Sequence, residues 1–273
     1  MANNGAHNTA TTVPGDRATP DVSLSVAGVA GVAVPITQLI NEQFTDDSGG
    51  YYRGVSGGGQ LIYENGYVRG IYPDGSDGVN VVISLGIPLS ENISDIYIET
   101  RARMPFNRGG FKFLKIFGES DGTNYANTTL ACVYGDGKIA QVSFGDGSSI
   151  GNDTANVINL SGANPDWIGR SYPDAEVSTP QNSAFTATDW GTDWHVFKFR
   201  VKFNSGTTAE NEVADGAYFL SIDDIVYVDA TGLFNRHYSN GPIEALHLFD
   251  YAQGNPEFHF DYDYVKVSTG GFL

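Results

Sequence analysis

The fold is decided by two neighbouring segments, DWHVFKFRVKF at residues 193–203 and DGAYFLSIDDIVYVD at residues 215–229. Apolar residues occupy alternate positions of the first segment: Phe197, Phe199, Val201 and Phe203. Cations occupy the positions between them: Lys198, Arg200 and Lys202. This period of two predicts a β-strand with one face in a core and the other in solvent or on a ligand. Because His195 falls on the apolar side, we expect a core histidine there rather than a catalytic base.

The second segment predicts a tight hairpin, because its alternation stops at Asp223-Asp224 and then resumes. Another hairpin is predicted around Asn65-Gly66, since an Asn-Gly pair supplies the positive φ values of a type I′ turn. The chain has 34 glycines and 12% aromatic residues but only 17% charged residues, which suits many short strands joined by tight turns. The sequence therefore predicts an all-β fold, an antiparallel β-sandwich.

Domain organisation follows from a change of composition near residue 41. Residues 1–40 begin with a polar, proline-containing stretch and continue into an apolar run of small residues, so we expect an extended N-terminal arm. Residues 41–273 carry continuous strand patterns and are predicted to form one sandwich domain, with its first strand at residues 41–47. Residues 145–188 have weak periodicity, which predicts a long excursion on the rim of the domain.

The charge of the chain limits its partners. The formal net charge is −17 and the isoelectric point is about 4.4. We therefore expect neither nucleic acid nor an anionic membrane as a partner, since both are bound by basic surfaces. Eight of the 15 Lys and Arg residues are nevertheless concentrated in residues 101–115 and 198–202. Cys132 is the only cysteine, so no internal disulfide can form.

Several patterns connect this prediction to a known superfamily. They are W-H-x-F-x-F-x-V-K-F at residues 194–203, D-G-x-Y-x-L-x-I-D-D at 215–224, E-x-R-x-R at 99–103 leading to G-G-x-K at 109–112, and the closing strand FHFDYDYVKV at 258–267. Together they resemble the concanavalin A-like lectin/glucanase jelly roll, the fold of laminin-G-like modules and several polysaccharide lyases. The resemblance covers about residues 41–268 and implies two antiparallel sheets, one of them curved, with ligands on the concave face.

Among the activities of this superfamily, a lyase would use a groove strand with Arg and Glu and a His or Tyr base. By this resemblance Glu99, Arg101 and Arg103 match the groove strand. β-elimination needs a cation near the uronate carboxylate and a base that titrates near neutral pH. The candidate catalytic residues of a lyase are Arg101, Arg103, His247, Tyr251 and His259. The alternative interpretation of the two arginines is a solvated strand face on which they pair with neighbouring carboxylates.

Motif searches argue against enzymatic activity. The chain lacks the Q-I-H and Y-F-K-x-G segments of alginate lyases and the E-x-D-x-x-E motif of retaining glucanases with this fold. His259, Asp261 and Asp263 resemble part of a metal site, but no further ligands can be identified, and a structural or solvent-facing role is the preferred interpretation. We therefore lean against an enzyme, and we expect no metal site and no cofactor, with structural calcium left open.

Glycan binding makes fewer demands than catalysis, since stacking aromatic side chains and a few fixed polar groups are sufficient. Trp194 can supply the aromatic surface, and the arginines can select acidic glycans. The candidate ligand-binding residues are Arg101, Arg103, Lys115, Trp194, Lys198 and Arg200.

The arm and the acidic domain together favour a structural role. An arm joined to a jelly roll, with no export signal at its start, resembles a capsid decoration or fibre protein of a virus or phage. We expect a structural or adhesive protein on the surface of a virion, with glycan binding as an additional property. It would bind capsid or other subunits through residues 1–40, as a homo-oligomer or part of a larger assembly. The alternatives are an extracellular location and a lyase that cleaves a uronate-containing polysaccharide by β-elimination.

Overall fold

The backbone consists of β-strands in the part of the chain that a computed structural model describes. The described residues are 34–47, 49, 51–73, 81–103, 111–118, 127–133, 139–143, 156–159, 166–169, 176–178, 193–205, 213, 215–233, 243–249, 251–252 and 257–273. They form the strands β1 (Thr37–Glu42), β2 (Tyr52–Ser56), β3 (Gln60–Glu64), β4 (Tyr67–Tyr72), β5 (Val81–Ile93), β6 (Asp95–Arg103), β7 (Phe111–Gly118), β8 (Asn127–Val133), β9 (Ile139–Ser143), β10 (Asn156–Asn159), β11 (Asp166–Gly169), β12 (Glu176–Ser178), β13 (His195–Lys202), β14 (Gly216–Ile222), β15 (Ile225–Leu233), β16 (Ile243–Leu248), β17 (Tyr251–Ala252) and β18 (Phe258–Thr269). Within these ranges no helix has the length and apolar character needed to cross a bilayer.

The strands pair into two antiparallel sheets, each with nine strands among the described residues. Sheet A has the order β12-β15-β14-β13-β6-β18-β4-β3, and β1 also pairs with β18. Sheet B has the order β11-β10-β9-β8-β7-β16-β5-β17, and β2 also pairs with β5. The predicted all-β antiparallel sandwich is therefore confirmed, and the two segments that decide it are β13, β14 and the start of β15.

The hydrophobic core contains the inward-facing side chains of both sheets. Sheet A contributes the predicted row of β13, because Phe197, Phe199 and Val201 are all 0% exposed. Sheet B contributes Leu114 and Ile116 of β7, together with Leu246 and Leu248 of β16. Since successive residues of a strand point to opposite faces, the residues between these positions lie on the outer faces of the sandwich.

The predicted hairpin between β14 and β15 is present, and it explains the position of His195. Asp223 and Asp224 have φ values of 49° and 63°, as a tight turn with two left-handed residues requires. The Asp223 carboxylate accepts a hydrogen bond from the Val196 amide at 2.9 Å and contacts His195 Nδ1 at 2.6 Å. The His195 side chain is 13% exposed. It is thus mostly buried, as expected, but it also holds the turn against β13.

Two predicted boundaries differ from the structure. The first strand, predicted at residues 41–47, is β1 at Thr37–Glu42, because Phe44 takes a left-handed backbone conformation with φ 47° and its amide donates to the Glu42 carboxylate at 2.7 Å. The predicted excursion at residues 145–188 contains the short strands β10, β11 and β12. The described residues from Ile36 onward belong to one compact unit. Residues 1–33 of the predicted arm lie outside the described residues, so the arm, its division from the domain at residue 40 and its role in assembly stay predictions.

Candidate functional site

The predicted site residues are divided between the outer faces of the two sheets. Sheet A carries Arg101, Arg103, Trp194, Lys198, Arg200 and His259. Sheet B carries Lys115 in β7, His247 in β16 and the backbone of Tyr251 in β17. Because the core lies between the sheets, their outer faces point in opposite directions. The five candidate catalytic residues of a lyase therefore do not converge in one groove.

On the outer face of sheet A, cations pair with carboxylates on neighbouring strands and turns. The ion pairs, with separations of at most 3.1 Å, are Arg69–Asp261, Arg103–Asp261, Arg101–Asp263, Lys198–Asp224, Arg200–Asp95, Lys202–Asp215 and Lys266–Glu99. This geometry agrees with the alternative interpretation of Arg101 and Arg103 as cations of a paired strand face. Such pairs between partly exposed groups contribute little stability individually.

Asp261 is the centre of this network. Its side chain is 0% exposed, and it accepts hydrogen bonds from Arg69 Nε at 2.7 Å, Arg69 Nη2 at 2.9 Å and Arg103 Nε at 2.8 Å. The register places it there, since Asp261 lies opposite Arg69 of β4 and opposite Arg103 of β6. These hydrogen bonds raise the pKa of Arg69 above its usual value. Among the described residues, no group of three or more His, Cys, Asp or Glu side chains fits a metal ion.

Trp194 and Tyr67 form an aromatic corner beside Arg101 and Arg103. Their ring centroids are 5.7 Å apart at an interplanar angle of 65°. The Arg103 guanidinium lies 4.4 Å from the centroid of Trp194, and the Arg101 guanidinium lies 5.3 Å from it. Sequence reasoning identified Trp194 but missed Tyr67, which begins β4 directly after the predicted Asn-Gly turn. The missing information was the pairing of β4 with β18, which no local pattern reveals.

His259 also lies on the outer face of sheet A, near Arg69 and Arg103. Burial, followed by the positive charge of Arg69, lowers the pKa of His259 from its usual value near 6.5. A neutral imidazole is therefore favoured at this position near neutral pH.

The outer face of sheet B brings Lys115 and His247 together. His247 lies directly opposite Lys115 of β7 and opposite Gly86 of β5. Directly opposite residues of antiparallel strands have Cβ atoms about 5 Å apart. Gly86 is itself buried, and Tyr52 of β2 lies opposite it on its other side. A cation and an imidazole thus lie side by side on neighbouring strands.

The burial of Lys115 is unusual for its place in the strand. Its neighbours Leu114 and Ile116 face the core, so the lysine lies on the outer face. It is nevertheless only 7% exposed. Lysine is rarely buried to this degree unless its ammonium group is paired, and a covered cation interacts more strongly with an anion than an exposed one does. Neighbouring groups therefore cover Lys115 on this face.

The chain is strained just beyond His247. Phe249 has a φ of 64°, which is rare for a bulky residue, and its side chain is 0% exposed. Its ring packs edge-on against Tyr262 at 4.9 Å, and a Cβ atom at Gly70 would lie 2.7 Å from it. Core packing therefore holds this backbone conformation between β16 and β17. Strained conformations of this kind cluster at functional sites.

Comparisons with known proteins concern the fold. No protein-family profile and no curated protein matches the sequence. The solved structure of an endo-β-1,4-glucuronan lyase from the fungus Trichoderma reesei matches with a TM-score of 0.53 and 10% identity, over 85% of this chain and 96% of the lyase. An alginate lyase from a Chlorella virus matches with a TM-score of 0.45 and 14% identity, over 78% of this chain and 90% of that chain. A non-specific endo-β-1,3(4)-glucanase of glycoside hydrolase family 16 matches with a TM-score of 0.47 and 11% identity. The match covers 88% of this chain and 94% of the glucanase chain.

The chain has the concanavalin A-like jelly-roll fold, as the sequence patterns predicted, and this is a fold of glycan-acting enzymes. The comparison also corrects one expectation. We expected from the sequence that the protein is not an enzyme, whereas the solved structure that matches with a TM-score of 0.53 is that of a polysaccharide lyase. The predicted virion location and capsid partners stay predictions.

Proposed function

We propose that this protein is a polysaccharide lyase that cleaves a uronate-containing polysaccharide at the outer face of sheet B. The observation that carries the proposal is the direct cross-strand pairing of the buried Lys115 with His247. The strained backbone at Phe249, directly after β16, supports the same location. The fold shared with a glucuronan lyase supports the choice of glucuronan as the first substrate to test.

The pair supplies the two groups that β-elimination requires. The Lys115 ammonium binds the uronate carboxylate and stabilises the negative charge that develops on it when the proton on C5 is removed. The His247 imidazole accepts that proton, since imidazole titrates near neutral pH. The bond between C4 and the glycosidic oxygen then breaks, and a double bond forms between C4 and C5. The imidazolium returns the proton to the departing oxygen, so no water enters the products.

A lyase fits the described residues better than a glycosidase does. Retaining hydrolysis requires two carboxyl groups about 5 Å apart on either side of the scissile bond. The described row on sheet B contains Tyr52, Gly86, His247, Lys115 and Thr129, none of which is a carboxylate. The chain also lacks the E-x-D-x-x-E motif that supplies such carboxylates in this fold.

The test is an assay for the unsaturated product. The full chain is incubated with glucuronan, polymannuronate and polyguluronate, and the ultraviolet absorbance of the new C4–C5 double bond is followed over time. We expect an increase with at least one uronate polymer and none with a neutral glucan. No increase with any of the uronate polymers would overturn the proposal.

Paired variants identify the face on which cleavage occurs. Lys115→Met and His247→Gln should each reduce kcat by about a hundredfold or more, the effect of removing one charge-stabilising or proton-transferring group. The matched controls Lys198→Met and His259→Gln change the same residue types on sheet A and should retain wild-type kcat. Loss of activity in the controls alone would show that the reaction occurs on the other face.

A further inference from the structure

We infer that the outer face of sheet A holds a second, non-catalytic binding site for an acidic polysaccharide chain, formed by Trp194, Tyr67, Arg101 and Arg103. The inference rests on the proposed function for the identity of the polymer. Its location is independent, because this face is on the opposite side of the sandwich from Lys115 and His247.

Four adjacent strands bring the site together at one end of the sheet. In the order β13-β6-β18-β4, Trp194 lies just before β13, Arg103 ends β6 opposite Asp261 of β18, and Asp261 lies opposite Arg69 of β4. Tyr67 begins β4 and closes the row, with Arg69 and Arg103 each 5.2 Å from its ring centroid. The aromatic and guanidinium groups thus form a continuous surface across the strands.

The buried carboxylate of Asp261 fixes this surface in advance. It holds Arg69 and Arg103 through three hydrogen bonds of 2.7–2.9 Å. Burying such an ion network is weak evidence for a stabilising role, because apolar side chains of similar volume would often be at least as stable. What the network does supply is a rigid orientation of Arg103 against Trp194. A binding site whose side chains are already ordered loses less conformational entropy when a ligand binds.

The chemistry of the surface fits a charged sugar. Aromatic rings stack on the apolar faces of sugar rings, and hydrogen-bond donors bind the hydroxyl and carboxylate groups at their edges. Each guanidinium has five N–H donors in a plane, and the hydrogen bonds from Arg101 to Asp263 and from Arg103 Nε to Asp261 each use one. Arg101 is 41% exposed, so it can also meet a carboxylate from solvent.

The ion pairs also predict how the binding depends on salt concentration. Because Asp261 and Asp263 compensate most of the arginine charge, stacking and directed hydrogen bonds contribute more than long-range attraction does. Binding should therefore respond weakly to salt, unlike binding to a surface of unpaired cations. Two sites on opposite faces would also allow one polymer to be held by sheet A while sheet B acts on another segment or chain, which raises the local substrate concentration.

The test uses the full chain with Lys115→Met, so that the polymer is not cleaved, in native gels that contain polyglucuronate. We expect Trp194→Ala in this background to weaken the retardation, with an increase of about tenfold in Kd, equivalent to about 1.4 kcal/mol. Arg101→Gln should weaken it to a smaller extent. Lys198→Met, on the same face but outside the corner, should bind like the parent.

The chain has three tryptophans, and the change in tryptophan fluorescence on adding glucuronan oligosaccharides should be lost or reduced in Trp194→Phe.

The outcomes separate this site from the proposed reaction. Parent-like binding by both Trp194→Ala and Arg101→Gln would overturn the site, whether or not the wild-type protein releases an unsaturated product. Equal retardation by the neutral glucan laminarin would overturn its assignment to acidic polymers. If Trp194→Ala does not fold, the Arg101→Gln variant, whose side chain is the more exposed, decides the question. Absence of an unsaturated product with normal binding would overturn the lyase and leave the second site in place.

Discussion

The two outer faces of the sandwich differ in the residues that lie across the strand from their cations. On sheet A, Arg103 lies opposite Asp261 and Lys266 lies opposite Glu99, so the cross-strand register itself supplies a counter-charge. On sheet B the residue opposite Lys115 is His247, and the lysine is buried although it lies on the outer face. The residue across the strand from the cation is therefore a carboxylate on sheet A and an imidazole on sheet B.

The largest expected effect on stability is at the centre of the sheet A network. Asp261→Asn keeps the shape of the side chain but leaves two mostly buried guanidinium groups without their shared carboxylate. We expect the free energy of unfolding to fall by about 3 kcal/mol, as for other buried pairs that lose one member. Denaturant unfolding measures the change. The control is Asp263→Asn, whose pair with Arg101 is partly exposed and should contribute less than about 1 kcal/mol. Equal costs for the two variants would contradict the central role of Asp261.

On sheet B the expected effect of a charge removal is on the reaction and not on the fold. Lys115→Met should reduce kcat about a hundredfold, equivalent to about 2.7 kcal/mol of transition-state stabilisation. The same change should lower the free energy of unfolding by less than Asp261→Asn does, because methionine keeps a similar side-chain volume at this buried position. Kinetics and denaturant unfolding on one preparation measure both. A large loss of stability together with activity would show that Lys115 is a structural cation like those of sheet A.

The sequence predicted each face in part. Alternation predicted the outward positions of β13, and therefore the candidates Lys198 and Arg200, because alternation is a local property. It did not identify their partners. Whether a cation faces an aspartate or a histidine depends on which distant strands pair and in which register, and β18 meets β6 only after more than half of the chain has intervened. Of the cations concentrated in two stretches, Arg101, Arg103, Lys198, Arg200 and Lys202 lie together on sheet A, whereas Lys115 lies on sheet B.

Lys198 provides the smallest expected effect among the charge removals. It pairs at 2.6 Å with Asp224, a turn residue that is itself highly exposed. Because water solvates both groups, Lys198→Met should change the free energy of unfolding by less than about 0.5 kcal/mol. Thermal and denaturant unfolding beside the Asp261→Asn variant measure the difference. A cost comparable to that of Asp261→Asn would mean that the outer network of sheet A acts as a unit and not as separate pairs.

The last prediction concerns His259 of sheet A and the dependence of the free energy of unfolding on pH. Burial and Arg69 lower the pKa of His259 in the folded protein, so below the ordinary value of about 6.5 the unfolded chain binds more protons than the folded one. The stability contributed by this residue is therefore fully present above about pH 6.5 and is lost as the pH falls toward the lowered pKa. His259→Gln cannot titrate, so its free energy of unfolding should fall less than that of the wild type between about pH 7.5 and pH 5.5. Denaturant unfolding of both proteins at the two pH values measures the difference. Parallel losses would contradict the lowering of the pKa of His259 by burial and by Arg69 in the folded protein.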